Sequence, residues 1–160
     1  MPQFQQSFTV DATLEQVAEF HRDSSALKNL TPPLHLIRFH RLDPQEEGSI
    51  TDFTIWLGFI PVRWTAQHRE VDRLKGFTDV QVKGPFDSWR HRHEFSMKDG
   101  GITEVNDRGS AEFGTGWFRA LLSRLIWYGL PILFSYRCMK TRQLLQSAER
   151  DKSTQAFGRF

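Results

Sequence analysis

The longest helical segment in the chain, Gly116 to Ala148, constrains the fold more than any other stretch. Thr115 offers a side-chain cap for its start, and Pro131 is the one strong helix breaker inside it. Phe134, Cys138, Thr141, Leu145 and Ala148 recur at steps of four, three, four and three, which puts them on one stripe. Arg137, Lys140, Arg142 and Gln143 lie off it. Upstream, Trp117, Leu121 and Leu125 form one row, and Phe118, Leu122 and Ile126 a second. A terminal helix with an apolar stripe needs a partner surface. Several alternating strands precede it, so the natural partner is a curved antiparallel sheet wrapped around the helix.

The same segment does not read as a membrane span. Arg119 and Arg124 interrupt the apolar stretch from Trp117 to Phe134, and each would cost roughly 2.5–3.5 kcal/mol near a bilayer centre. The uninterrupted run, Leu125 to Phe134, is far shorter than the ~20 residues a span needs. A helix lying on a membrane surface stays open as a reading.

A length of 160 residues suits one domain, expected over 1–150, followed by a loose polar tail over 151–160. The 14 Phe and 5 Trp are many, which favours a large core or an apolar cavity. Net charge is only +2, and the basic excess is confined to the C-terminal part. That reads as a solvated helix end, not as a nucleic-acid footprint. The first residues, MPQFQQSFTV, lack the basic start and apolar run of a signal peptide. The single Cys138 excludes an internal disulfide, so a reducing cytoplasm fits.

Taken in order, Phe4 to Val10 alternates as a strand, and Thr13 with Gln16 forms a capping box for a short helix whose inner side is Leu14, Val17, Ala18 and Phe20. His21-Arg22-Asp23 reads as a corner. A second short helix, from Ser24 or Ser25 to Leu30, stops at Thr31-Pro32-Pro33. Six strands follow: Leu34 to Leu42, Ile50 to Leu57, Pro61 to Val71, Gly76 to Lys83, Trp89 to Lys98 and Ile102 to Phe113. Short turns join them, so they pair as an antiparallel meander.

This order resembles the helix-grip fold of the START/Bet v 1-like (SRPBCC) superfamily over residues 3–149. Within it, the chain looks closest to small bacterial SRPBCC ligand-binding proteins, some of them labelled polyketide cyclase/dehydratase or cell-division inhibitor. Phe20-His21-Arg22-Asp23, Leu30-Thr31-Pro32-Pro33, Gly84-Pro85-Phe86 with Trp89-Arg90-His91-Arg92-His93-Glu94-Phe95, and Phe134-Ser135-Tyr136-Arg137 carry the resemblance. It implies an α+β domain with about seven strands around the terminal helix, and a cavity between the two.

Strand parity locates the candidate site. Trp89, His91, His93, Phe95 and Met97 share one face, and Arg90, Arg92, Glu94, Ser96 and Lys98 share the other. The charged face must be wet, so both histidines point inward. The next strand turns Val105, Asp107, Gly109, Ala111 and Phe113 inward, and the strand from Pro61 turns Val62, Trp64, Ala66 and His68 inward. Inward ionisable groups are costly unless paired, so His68, His91, His93 and Asp107 need one another, with Tyr136 and Arg137 as further candidates. Asp79 joins only if the turn at Gly84-Pro85 has the parity that sets it across from His91.

Three readings follow for this cluster: a buried network fixing helix to sheet, a polar patch in a ligand cavity, or an acid–base group. His-x-His also presents two ligands to a metal, with His68 or Asp107 as a third, but no metal or cofactor is assigned on so weak a signal. No nucleophile elbow, glycine-rich phosphate loop or CxxC is present. The leading expectation is binding of a hydrophobic, lipid- or isoprenoid-like small molecule against Phe53, Ile55, Trp64, Trp89 and Phe113, with a mouth near Pro32-Pro33 and Pro85-Phe86 and no nucleic-acid partner. The alternatives are a cyclase, dehydratase or hydrolase using His91, His93 and Asp107, and a protein that docks on a membrane or partner through residues 117–134.

Overall fold

The first strand, β1 (Gln3–Val10), alternates wet and buried residues and ends with Phe8 and Val10 in the core. Thr13 then starts α1 (Leu14–Arg22). Its hydroxyl accepts from the Gln16 N–H at 3.3 Å, while the Gln16 side chain accepts from the Thr13 N–H at 2.7 Å. This reciprocal box satisfies two amides that the first turn leaves without partners. The computed structural model describes residues 1–23, 26–33 and 36–157, without the side chains of Leu27 and of 148–157. The expected start of α2 at Ser24 or Ser25 therefore lies outside the described residues, and α2 is a single turn, Ala26–Asn29.

Six further strands follow: β2 (Ile37–Leu42), β3 (Ile50–Leu57), β4 (Ile60–Asp72), β5 (Gly76–Lys83), β6 (Ser88–Met97) and β7 (Thr103–Glu112). They form one seven-stranded antiparallel sheet in the order β1-β7-β6-β5-β4-β3-β2. The meander is closed by β1 returning beside β7. Most strand bounds fall within one residue of the expected ones. β2 starts at Ile37, and residues 34–35 of its expected start lie outside the described set.

The register matters more than the bounds. It sets His68 opposite Asp79, Asp79 opposite His91, His93 opposite Asp107, and Phe77 opposite His93. Gly76 makes that register possible at the β5 start. Its φ is +116°, and a Cβ there would collide with the His93 carbonyl oxygen. Any side chain would push β5 off β6.

The last helix, α3, runs from Trp117 to Phe157. It starts beyond Gly116, whose positive φ of +79° turns the chain into it, and the expected cap by Thr115 does not appear among the described contacts. It passes through Pro131 without breaking and continues past Ala148 into the segment expected to be a tail. Leu122, Ser123, Leu130, Phe134, Thr141 and Leu145 are buried. Cys138 is partly buried, and Ala148 has no described side chain. Of the two upstream rows, Leu122 and Ile126 turn inward, whereas Trp117, Leu121, Leu125 and Phe118 are exposed.

Two apolar clusters form the core. One joins Phe8, Val10, Val17, Ala18, Phe77, Phe95, Val105 and Leu145. The other joins Phe86, Trp89, Ala111, Leu130 and Phe134, with Trp64, Phe113 and Trp127 at its edge. Along β6 the inward residues run Trp89, His91, His93, Phe95, so the histidines lie between the two clusters. Met97, expected inward by parity, is exposed at the strand end. The Phe134 ring lies 4.8 Å from Phe4 and 5.0 Å from His91, which ties α3 to β1 and β6. Phe134→Ala should cost ~3–5 kcal/mol of unfolding free energy, the usual cost of an aromatic truncated in a core. Leu121→Ala on the opposite face should stay within ~0.5 kcal/mol. Chemical denaturation of the two variants checks the difference.

Candidate functional site

Between the two clusters, four strands and two helices bring together His21, His68, Asp79, His91, His93, Asp107 and Arg137. His93 stands at the centre. Its Nδ1 is 2.7 Å from Asp107 Oδ1, and its Nε2 is 3.6 Å from Asp79 Oδ2. The His91 ring packs 4.0 Å from that of His93, with its Nε2 3.3 Å from Asp107 Oδ1. His68 Nε2 approaches Asp79 Oδ1 at 3.1 Å. From α1, His21 bonds the Val17 carbonyl at 2.8 Å and sets its ring 6.0 Å from His93. From α3, Arg137 lies over the Phe134 ring at 5.2 Å.

Burial and charge pull these groups apart in pKa. Burial would lower His93, but the charge and hydrogen bond of Asp107, joined by Asp79, outweigh it and raise His93 to about 9. Burial lowers His91, and the positive His93 beside it adds to the effect; Asp107 offsets this only in part. Burial and His93 likewise push His21 down to about 4. Burial would raise both carboxyls. For Asp107 the charge of His93, with hydrogen bonds from His91 and His93, wins, and for Asp79 the hydrogen bonds of His68 and His93 win, so both are held well below the usual carboxylate range. Burial lowers Arg137 against the pull of Asp107 and Asp79. At neutral pH two carboxylates thus face one imidazolium and one guanidinium, and those four charges cancel.

The pairs are close but off axis. His68 Nδ1, Asp79 Oδ1, His91 Nε2, His93 Nδ1, Asp107 Oδ1 and Arg137 Nε are buried without an aligned hydrogen bond. Buried polar atoms rarely stay so. Asp79 keeps a quarter of its side chain accessible although it faces inward and its Oδ1 is buried.

Of the residues expected here, His68, His91, His93, Asp107 and Arg137 come together. Tyr136 sits a turn of ~100° from Arg137, half-buried and toward the outer side of α3. Asp79 belongs to the cluster, which resolves the turn parity. His21 also belongs, in the last turn of α1 and not at a corner. Its spacing of four from Val17 was the signal for it. Phe53, Ile55, Trp64, Trp89 and Phe113 all line the concave side, but their rings make a continuous packed series. Phe53 stacks on Trp64 at 6.4 Å, Trp64 meets Trp89 at 5.5 Å, and Trp89 and Phe113 each meet Trp127. Phe86, expected at a mouth, is instead fully buried against Trp89 and Trp64. Gln81 and Arg119 hold it there by donating to its carbonyl at 2.8 and 2.9 Å.

For a metal, Asp79, His91 and His93 offer three ligand atoms within 4.8 Å of one another, a carboxylate and two imidazoles. The third group is thus Asp79, not His68 or Asp107, the two considered as a third ligand. The donor types suit zinc, but an ion would have to displace the proton that both carboxylates hold on His93, beside the positive Arg137.

Stability should follow these charges. His93, raised from 6.5 to about 9, contributes stability that is whole below pH 6.5 and is lost as pH rises to about 9. His21, lowered to about 4, contributes stability that is whole above pH 6.5 and is lost as pH falls toward 4. A pH series of denaturation midpoints should peak near pH 6.5, and His93→Gln should flatten the alkaline limb. An unchanged alkaline limb in that variant would refute the assignment.

No protein-family model matches the sequence, and no curated protein is similar to it. Solved structures are. A protein of Thermus thermophilus superposes with a TM-score of 0.71 at 16% identity, covering 92% of this chain and 99% of its own. The Zhui aromatase/cyclase of a Streptomyces species gives 0.72 at 13% identity, over 93% and 94%. The Bet v 1-type protein Ara h 8.0201 gives 0.64 at 10% identity, over 91% and 98%. Seven antiparallel strands gripping a long terminal helix, with short helices after the first strand, give this chain the helix-grip fold of Bet v 1- and START-like proteins.

Proposed function

We propose that the protein binds a hydrophobic small molecule, lipid- or isoprenoid-like, with one uncharged polar end. The observation that carries this reading is a partly exposed apolar face on β2 and β3 that continues along the sheet toward the polar cluster. Ile37 and Phe39 of β2 and Phe53, Ile55 and Leu57 of β3 face the concave side by register, yet all stay partly exposed. From them the inward row of β4, Trp64, Ala66 and His68, leads to Asp79. The apolar body of a ligand fits the first part, and its polar end turns toward Asp79.

The charges constrain that end. A carboxylate would stand beside Asp79 and Asp107, and a cation beside His93 and Arg137. A hydroxyl suits the accessible side of Asp79, because it can donate to a carboxylate and accept from a neighbouring N–H. Titration with an environment-sensitive apolar dye should therefore saturate, and a long-chain alcohol should displace the dye better than the fatty acid of equal length at pH 7. Phe53→Asp should weaken dye binding at least tenfold. Absence of saturable binding would end the proposal.

A second reading has its own support: adjacent His91 and His93 are displaced in opposite directions, the pattern of a base beside an acid. His91 would take a proton and His93 return one, as in a dehydration or a cyclisation, the latter being the chemistry named for the Streptomyces aromatase/cyclase. Ligand extracted from the protein and returned to it would be converted by the wild type and not by His91→Gln. Recovery unchanged from both would leave binding alone.

A further inference from the structure

We infer that α3 docks the protein on an anionic bilayer surface through the face turned away from the sheet. This is independent of what the concave side binds. Trp117, Leu121, Leu125, Tyr128, Ile132 and Met139 each keep 57–82% of their surface exposed. At 3.6 residues per turn they fall within about 80° of arc, directly opposite Leu130, Phe134 and Thr141, and extend for about 33 Å. Single exposed apolar residues are ordinary, but six along one face of a helix, interrupted at Ser135, mark a contact surface.

Charge selects the occupant. Between Glu112 and Glu149 the chain has no acidic residue; of its five basic ones, Arg137 lies in the polar cluster and Arg119 pairs with Asp87 at 3.0 Å, which leaves Arg124, Lys140 and Arg142. Arg124, stacked 4.9 Å over Phe113, flanks the stripe on one side and Lys140 on the other, where long stems can lie along an apolar surface with their charges in the headgroups; Arg142, on the first side, turns its guanidinium to the Thr9 carbonyl at 2.9 Å. A second copy of α3 would bring the same basic groups together with no acid to meet them. An anionic lipid surface is apolar in depth, negative at its rim and extended, as this face requires. Trp117 and Tyr128 are the side chains that bilayer interfaces favour. No helix among the described residues is long and apolar enough to cross a membrane, so α3 would lie on the surface.

The test is flotation of the full chain with vesicles of phosphatidylcholine alone and of phosphatidylcholine with phosphatidylglycerol. The protein should float with the anionic vesicles, and added salt should weaken this. Leu125→Glu with Ile132→Glu should lower partitioning at least tenfold, with an unchanged denaturation midpoint because both side chains face solvent. Arg124→Gln with Lys140→Gln, which leaves the stripe intact, should remove most of the preference for anionic vesicles. Failure of the wild type to float at low salt would overturn the inference. So would flotation that the double-Glu variant leaves undiminished. A dimer in sedimentation that this variant dissociates, with no vesicle binding, would assign the face to a second copy instead.

Discussion

The structure depends on one imidazolium held between two carboxylates. Burying Asp79 and Asp107 unpaired would cost several kcal/mol each, and neither protonation nor a solvent path relieves Asp107. His93 compensates both only because β5, β6 and β7 keep a register that sets its two ring nitrogens toward one carboxylate each. A one-residue slip of β6 would turn His93 outward and leave Asp79 and Asp107 inside without it. The apolar clusters on either side would tolerate exchanges of similar volume. The polar belt would not, so it fixes which of several similar sheets the chain forms.

Much of this was legible because β6 and β7 alternate cleanly. Charged residues at Arg90, Arg92 and Glu94 fix the wet face, and everything at the other parity follows. Asp79 was not legible, because its face depends on the number of residues in the Gly84-Pro85 turn, and β5 itself carries no charged row to decide it. The fate of Phe86 depended on a contact far along the chain, the Arg119 bond to its carbonyl. The outer face of α3 misled in another way. Trp117, Leu121 and Leu125 have the period of a buried row, and period alone cannot say which of two apolar rows meets the sheet. The decision came from Leu130 and Phe134, whose angular position excludes the first row.

The two faces of α3 also explain why its amphipathicity looks weak although its packing is specific. A helix with one apolar face has a strong hydrophobic direction; a helix with an inner and an outer apolar row has almost none. The polar residues of its middle are reduced to small or uncharged ones such as Ser123, Gly129 and Ser135, and charge is pushed to the two ends. Pro131 belongs to this arrangement. It lies on the exposed flank, where the amide it lacks would have bonded Trp127, and the helix is carried across it by Leu130 and Phe134 on the packed side.

The unequal support of the sheet links this architecture to access. α3 lies against β1 and α1, and α1 against β6, so the half of the sheet that holds the polar belt is pinned on its concave side. Among the described residues, no helix packs on β2 or β3 to that extent. Backbone pairing, the Asp52–Arg63 ion pair on the outer face, and the Phe39–Phe53–Trp64 rings hold them. Elements with few buried contacts open at lower free energy than the body of a domain. The β2–β3 wing is therefore the part that can move without disturbing the charges, and an apolar guest would replace the contacts that this wing lacks. Amide hydrogen exchange should be fastest in β2 and β3 and slowest in β6 and β7. Ligand binding should slow the first pair and leave the second unchanged, because a guest on the concave side covers the wing and adds nothing to strands already closed by α3 and α1.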